Sequence, residues 1–455
     1  MTETTTKFQV YGARDLDTIP QLAGLDARQR LEMKAVAAVL PFRVNRYVVE
    51  SLIDWSRAPD DPMYRLTFPQ PEMLQRADLE RMVALLRRGA PSSEVDASAR
   101  EIQARLNPHP AGQQELNVPR LPGGRALPGA QHKYAETVLF FPSQGQTCHA
   151  YCSYCFRWAQ FVGLEDLRFA SRETEPLTEY LTANPGVTNV LLTGGDPMIM
   201  RTKLLRRYIE PLLAVESLQS VRIGTKAPAY WPQRFVTDRD ADDLLRLFED
   251  VRAAGKHVAV MAHYTHPAEL STDIAQRALA RIRSAGAVVR TQSPLLRGIN
   301  DQADTWAELW RTQVRHGAIP YYMFVERDTG ARHYFEVPLA RALEVYNGAI
   351  RQSSGLGRTA RGPSMSATPG KVLIDGVAEV HGERVFVLKF LQARDPAWVG
   401  RPFFARFDPS ATWLRDLEPA FDAREFFFEP GMRGFRDRAR LRVVDTPATA
   451  RTQPS

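Results

Sequence analysis

Along this chain the apolar residues change period once, and the change divides the molecule. Up to about residue 125 they recur at helical intervals. Leu31, Met33, Val36, Val39 and Leu40 do so within 26–55, and two further amphipathic stretches cross Glu72–Arg105, parted at Ala90-Pro91. Spacings of three and four place such residues on one helix face, and proline closes a helix. From 107 to 129 the run N-P-H-P-A-G…L-P-G-G-R-A-L-P-G is dense in Pro and Gly and predicts an extended connector.

Beyond the connector come short, unbroken apolar runs. They are T-V-L-F-F-P (137–142), V-T-N-V-L-L-T (187–193), S-V-R-I-G-T (220–225), H-V-A-V-M-A-H (257–263), A-V-V-R-T-Q (287–292) and P-Y-Y-M-F-V (320–325). Helix-like stretches at 200–215, 238–254, 272–285 and 301–315 separate them. Strand alternating with helix predicts a parallel sheet with right-handed crossovers. Six such units suit an incomplete (β/α)6 barrel, an α/β fold whose chemistry gathers at the carboxyl end of the strands. After 365, K-V-L-I-D-G-V-A-E-V and R-V-F-V-L-K-F predict hairpin strands. The expected organisation is an N-terminal helical region and connector (1–128), a core (129–350), a strand-rich extension (351–440) and a disordered tail (441–455).

Composition changes this picture little. A chain of 455 residues, 44% hydrophobic and 24% charged, has the make-up of a soluble globular protein with ample core. Its net charge of +7 comes overwhelmingly from arginine, with only eight lysines, and is spread along the chain. Without basic blocks interleaved with aromatics it does not point to nucleic acid. No apolar run approaches the roughly 18 residues of a membrane span, and the opening M-T-E-T-T-T-K-F-Q-V lacks the features of a secretory signal. A cytoplasmic location and no membrane partner are expected.

The candidate chemistry is concentrated in one loop. All three cysteines, Cys148, Cys152 and Cys155, lie in T-C-H-A-Y-C-S-Y-C-F-R-W after the first core run. Three thiolates on one loop suit a [4Fe–4S] cluster, each holding one iron and leaving the fourth open to a small molecule. A zinc site would need a fourth ligand, with His149 nearest, and a disulfide would leave one thiol over. The absence of any other cysteine favours the cluster over these and over chance grouping.

The cysteine loop, with L-L-T-G-G-D-P ending the second run, resembles the radical S-adenosylmethionine (SAM) superfamily. More closely, the chain resembles the lysine 2,3-aminomutase family. S-L-I-D-W, D-D-P-M-Y-R, G-A-Q-H-K-Y-A-E-T-V-L-F, V-R-I-G-T-K-A-P-A-Y-W-P-Q-R, H-Y-T-H-P-A-E, T-Q-S-P-L-L-R-G-I-N-D and P-Y-Y-M-F recur there in this order. The resemblance implies an isomerase carrying a [4Fe–4S] cluster, SAM and pyridoxal 5′-phosphate (PLP). It would shift the amino group of a free α-amino acid from Cα to Cβ through a 5′-deoxyadenosyl radical, drawing electrons from a flavodoxin or ferredoxin.

The same resemblance implies residue roles. Cys148, Cys152 and Cys155 match the cluster ligands, and Gly194, Gly195 and Asp196 the segment receiving the methionine end of SAM. Lys371, in S-A-T-P-G-K-V, stands at the PLP lysine, although the usual glycine run is shortened to Pro369-Gly370. Arg157 matches the arginine for the substrate carboxylate. Lys133 falls near the cofactor phosphate, and Gln292 and His266 coincide with pocket positions. Where lysine-specific members place two aspartates, this chain has Arg327 and Ser364, with Asp328 adjacent to the first. A cation there repels the ammonium of lysine and welcomes a carboxylate, so an acidic or polar substrate is expected. The runners-up are lysine itself and a radical SAM enzyme without PLP that performs another hydrogen abstraction. Zinc through thiolates near the carboxyl end is excluded, and association into homo-oligomers is left open.

Overall fold

The apolar runs become strands in the computed structural model, which describes residues 7–108, 116–163 and 169–435. The strands are β1 (Val10–Gly12), β2 (Arg43–Asn45), β3 (Ala130–Tyr134), β4 (Thr137–Phe140), β5 (Asn189–Leu192), β6 (Ser220–Thr225), β7 (His257–His263), β8 (Val288–Leu295), β9 (Ile319–Val325), β10 (Arg361–Ser366), β11 (Gly370–Val380), β12 (Glu383–Ala393) and β13 (Pro402–Arg406). β1 and β2 pair with each other; the other eleven form one sheet in which every neighbour in space is a neighbour in sequence. β4 to β10 run parallel, β3 is antiparallel to β4, and β11 to β13 continue antiparallel beyond β10. The molecule is therefore mixed α/β around a large, mainly parallel sheet.

Among the described residues, one helix of nine or more residues lies in each of the six parallel crossovers: Glu175–Ala183, Thr202–Leu213, Ala241–Ala253, Asp273–Ser284, Ala303–Arg315 and Leu339–Arg351. Their apolar stripes, including Leu205, Ile209, Leu244, Phe248 and Ile282, join Val190, Leu192, Val221, Ile223 and Val260 of the strands in one core. Burying each such side chain contributes about 1.5–3 kcal/mol. The last crossover and β10 extend the sheet one parallel strand past the six expected, so the strand-rich extension continues the core sheet.

The amino-terminal pattern resolves into helices at Ala27–Val39, Arg76–Arg87 and Ser92–Leu106. The stretch 26–55, helical in spacing throughout, leaves the helix at Leu40. Pro41 disfavours helical geometry in the residue before it, and Arg43–Asn45 then pairs with Val10–Gly12. Residues 109–115 of the expected connector and the tail at 441–455 lie outside the described residues. Among the described residues no helix is long and apolar enough to cross a membrane.

The far ends of the sheet approach one another, since β12 packs against β3. Gln392 Nε2 donates to Glu136 Oε1 at 2.7 Å, and the Lys133 ammonium donates to the Ala367 carbonyl. Register fixes which residues look into the space between. Gly224 aligns with Met261, His263 with Gln292, Gln292 with Tyr322, Phe324 with Ser364, and Ser366 with Lys371. Aligned residues share a face, and alternate residues share it too. Gly224, His263, Gln292, Tyr322, Phe324, Ser364 and Lys371 accordingly line one face.

Candidate active site

β4 runs directly into the cysteine loop, and the amino-terminal region holds that loop in place. Tyr151 N donates to Arg43 O (2.8 Å), Ser153 N to Leu66 O (2.9 Å) and Ser153 Oγ to Arg65 O (2.7 Å). The Asn45 side-chain amide donates to both His149 O (3.2 Å) and Tyr230 O (2.8 Å). The three thiols are unpaired and half-buried. Burial, reinforced by the neighbouring thiols, lifts Cys148 well above its ordinary range and Cys155 up to about 12. Three thiolates here repel each other unless a strongly positive centre joins them, which is what a cluster provides.

Among the described residues no three His, Cys, Asp or Glu side chains converge to hold a single metal ion. A cluster taking one sulfur per iron asks for no such convergence. His149, the candidate fourth zinc ligand, packs edge-on against the ring of Phe8 at 5.6 Å, and burial presses its pKa down to about 3.

The Gly-Gly-Asp segment after β5 lies against the start of the same loop. A Cβ on Gly195 would stand 2.5–2.7 Å from the backbone of Thr147, and Gly194 holds φ at +150°. Only glycine permits that approach. Asp196 N donates to Thr147 O (2.8 Å), while its carboxylate accepts from Thr225 Oγ1 (2.6 Å), Lys226 N (2.8 Å) and Met198 N (2.9 Å). Desolvation raises Asp196 to about 6. Its oxygens are thus spent on bracing β6 against the loop.

Lys371 is the second residue of β11 and lies on the face defined above. Its Nζ donates to Gln392 Oε1 (3.2 Å) and sits 4.0 Å from the centre of the Tyr322 ring. Burial, then the charges of Arg361 and Arg222, bring its pKa down to about 7. A lysine amine half-deprotonated near neutrality suits attack on an aldehyde. Lys133 is depressed well below its ordinary value, first by burial and then by Arg394, Arg327 and Lys371.

Arg157 and Arg327 converge on one aromatic side chain. Their guanidinium carbons lie 5.4 and 5.2 Å from the ring centre of Phe156, and Arg157 stacks on Phe141 at 4.1 Å. Burial lowers both, Arg157 to about 10, and Arg327 lowers Arg157 further. Neither pairs with a carboxylate side chain among the described residues; Arg327 Nε is buried without a partner, as is Ser364 Oγ. Asp328 is engaged elsewhere, by Arg415 at 3.1 Å. Glu326, buried beside Arg327, is pushed well above the usual carboxylate range by desolvation.

Gln292 meets His263 (Nε2 to Nε2, 2.9 Å) on the Lys371 face. His266 stands apart. Its Nδ1 accepts from Ala268 N at 3.3 Å, capping the turn Pro267–Leu270. Sequence reasoning missed the Gln392–Glu136 support of Lys371, the buried pair Lys226–Glu269 (2.5 Å), and Arg222 with Arg361 beneath Lys371. A lysine inside the quoted run G-T-K-A-P was the available signal for the second of these. Among the described residues, the carboxylates that act on Lys133, Arg157, Arg222, Arg327 and Lys371 are Glu136, Glu326 and the engaged Asp328. Such an excess of cations suits a phosphate and one or more carboxylates.

No protein-family model matches the chain. Among curated proteins it is 29% identical over 389 residues to one from Aquifex aeolicus, covering 85% of this chain and 90% of that protein. It is 30% identical over 280 residues to one from Treponema pallidum, covering 60% of this chain and 74% of that protein. Both carry the name "Putative L-lysine 2,3-aminomutase". The L-lysine 2,3-aminomutase of Fusobacterium nucleatum is 29% identical over 230 residues, about half of each chain. Ordered motifs, free thiol triad and relatives converge: the chain belongs to the lysine 2,3-aminomutase family of radical SAM isomerases, which use a [4Fe–4S] cluster, SAM and PLP.

Proposed function

We propose that this chain is a radical SAM aminomutase acting on a free acidic α-amino acid, built on an incomplete (β/α)6 barrel. The strictly sequential strand order and the meeting of β12 with β3 support the barrel. When bound, the cluster and SAM supply a carbon-centred oxidant, and PLP carries the migrating nitrogen. Cys148, Cys152 and Cys155 hold one iron each. Gly194 and Gly195 keep the backbone low beside Thr147 for the methionine end of SAM, and Asp196 stiffens that floor. Lys371 would anchor PLP, Lys133 would serve its phosphate, and Gln292 would face the same pocket; His266 keeps only Nε2 for a ligand. Arg157 takes the α-carboxylate, and Arg327 with Ser364 takes a distal one. The location is cytoplasmic, with electrons from a flavodoxin or ferredoxin.

One observation carries the substrate class: two half-buried guanidiniums beside one ring, without carboxylate side-chain partners among the described residues. Such a pair is costly until an anion joins it. A dicarboxylate of glutamate or aspartate size answers both. The competing reading is lysine, favoured by the names of the relatives and by Glu326, a buried carboxylate able to meet an ammonium. The deciding experiment is anaerobic incubation of the purified protein with SAM, dithionite, PLP and glutamate, aspartate and lysine together. Mass-resolved separation of α- and β-amino acids is expected to show the β-isomer of an acidic substrate. Turnover of lysine alone would sink the assignment.

A further inference from the structure

Tyr230 closes the short helical turn Ala227–Tyr230 that follows β6, and only 1% of it is exposed. Among the described residues its hydroxyl has one hydrogen-bond partner, the Cys152 sulfur at 3.8 Å, within reach of a long bond to sulfur. The spacing is imposed from outside the pair. Asn45 donates to the Tyr230 carbonyl and to the carbonyl of His149, tying the tyrosine's backbone to the cysteine loop. On the ring itself rests Lys226 Nζ, 4.5 Å from the centre, held by Glu269 at 2.5 Å and by Thr265 Oγ1 at 3.1 Å. Tyr154, the other phenol beside this sulfur, points its hydroxyl at Thr265 Oγ1 (3.2 Å).

We propose that Tyr230 donates a hydrogen bond to the Cys152 sulfur once that sulfur ligates iron, and thereby makes the cluster easier to reduce. The inference rests on reading the three cysteines as cluster ligands. As a thiol, Cys152 can be the donor in this contact. Ligation removes its proton and leaves an acceptor only. A phenol keeps its proton at neutral pH, so the tyrosine becomes the donor and the bond reverses direction. Hydrogen bonds to ligand sulfurs tune cluster potentials, because they offset the charge gained on reduction. The dry surroundings of Tyr230 strengthen that effect.

The test is a redox titration of the full-length, anaerobically reconstituted protein, followed by electron paramagnetic resonance. Tyr230→Phe is expected to bind wild-type amounts of iron and sulfide and to show a more negative midpoint potential. Tyr154→Phe is expected to shift it less. Resonance Raman spectra of the wild type supply a readout independent of any variant's folding. Their iron–sulfur modes are expected to move between H2O and D2O, and Tyr230→Phe is expected to reduce that sensitivity. An unchanged midpoint and undiminished deuterium sensitivity in a loaded Tyr230→Phe protein would overturn the proposal, as would an equal shift from Tyr154→Phe. If the wild type assembles no cluster, the reading of the cysteines fails and this inference with it. A loaded but insensitive variant removes only the tyrosine.

Discussion

The two ends of the candidate site are built on opposite principles. Around the cysteine loop the groups that brace the backbone are paired: Asp196 has three donors, Lys226 has Glu269, and the loop backbone is bonded to Arg43, Arg65 and Leu66, while His149 Nδ1 and Arg43 Nε stay buried without partners. Around Lys371 the reverse holds. Among the described residues Arg157 and Arg327 lack carboxylate side-chain partners, and Arg222 Nε, Arg327 Nε and Ser364 Oγ are buried and unpartnered. A satisfied shell keeps its shape while electrons pass. An unsatisfied one stores affinity for whatever anions complete it. Rigidity is needed at one end and vacancy for charge at the other.

That contrast can be broken by separating the ends. Cys152→Ala is expected to abolish the iron–sulfur absorbance while leaving PLP uptake, measured as the borohydride-trapped Lys371 peptide. Lys371→Ala is expected to do the opposite. Loss of both signals in either variant would show that the ends do not form independently. Next in size is Arg327→Met, which removes a charged hydrogen-bond donor of about 1.5–3 kcal/mol. It should lower kcat/KM for the acidic substrate by roughly 10- to 100-fold. Unaltered kinetics would remove Arg327 from the pocket.

Stability sharpens the comparison from the satisfied side. Gly195→Ala places a Cβ about 2.5 Å from the Thr147 carbonyl, an overpacking worth about 1–3 kcal/mol. A thermal melt should show the loss, whereas Gly123→Ala, with nothing within 4 Å, should melt like the wild type. The smallest effect is in pH. Because burial and then Arg361 and Arg222 hold Lys371 near 7, its reactive neutral form grows as pH rises through that value. PLP capture by the apo-protein should follow the same curve, rather than one centred near the ordinary lysine range. Arg361→Ala removes one repulsive charge, so the midpoint should move upward; a midpoint that stayed put would exclude that charge as a cause.

Much of the frame was legible because its signals are local. Buried parallel strands read as unbroken apolar runs, and the thiols sit within eight residues of one another. β3 escaped notice because A-Q-H-K-Y is an edge strand with half-exposed polar side chains, not an apolar run. The supports of the site were illegible for another reason. Asn45 to Tyr230 spans 185 positions, Cys152 to Tyr230 spans 78, and Gln392 to Glu136 spans 256. No periodicity records pairings at that range. The Lys371 register was within reach, since Ser366 and Lys371 face each other across a tight reversal, but its depressed basicity depends on arginines from other strands.

The meeting of β12 with β3 also sets a timetable. Ribosomes make Lys133 and Glu136 long before Lys371 and Gln392 emerge, so the two halves of that seam are born far apart in time. The three cysteines and the backbone groups that hold their loop lie in the first two thirds of the polypeptide, whereas Trp158 at the loop's end bonds to Thr329 beyond them. The aldehyde-binding end is finished only when the hairpin that carries Lys371 and Gln392 docks against β3.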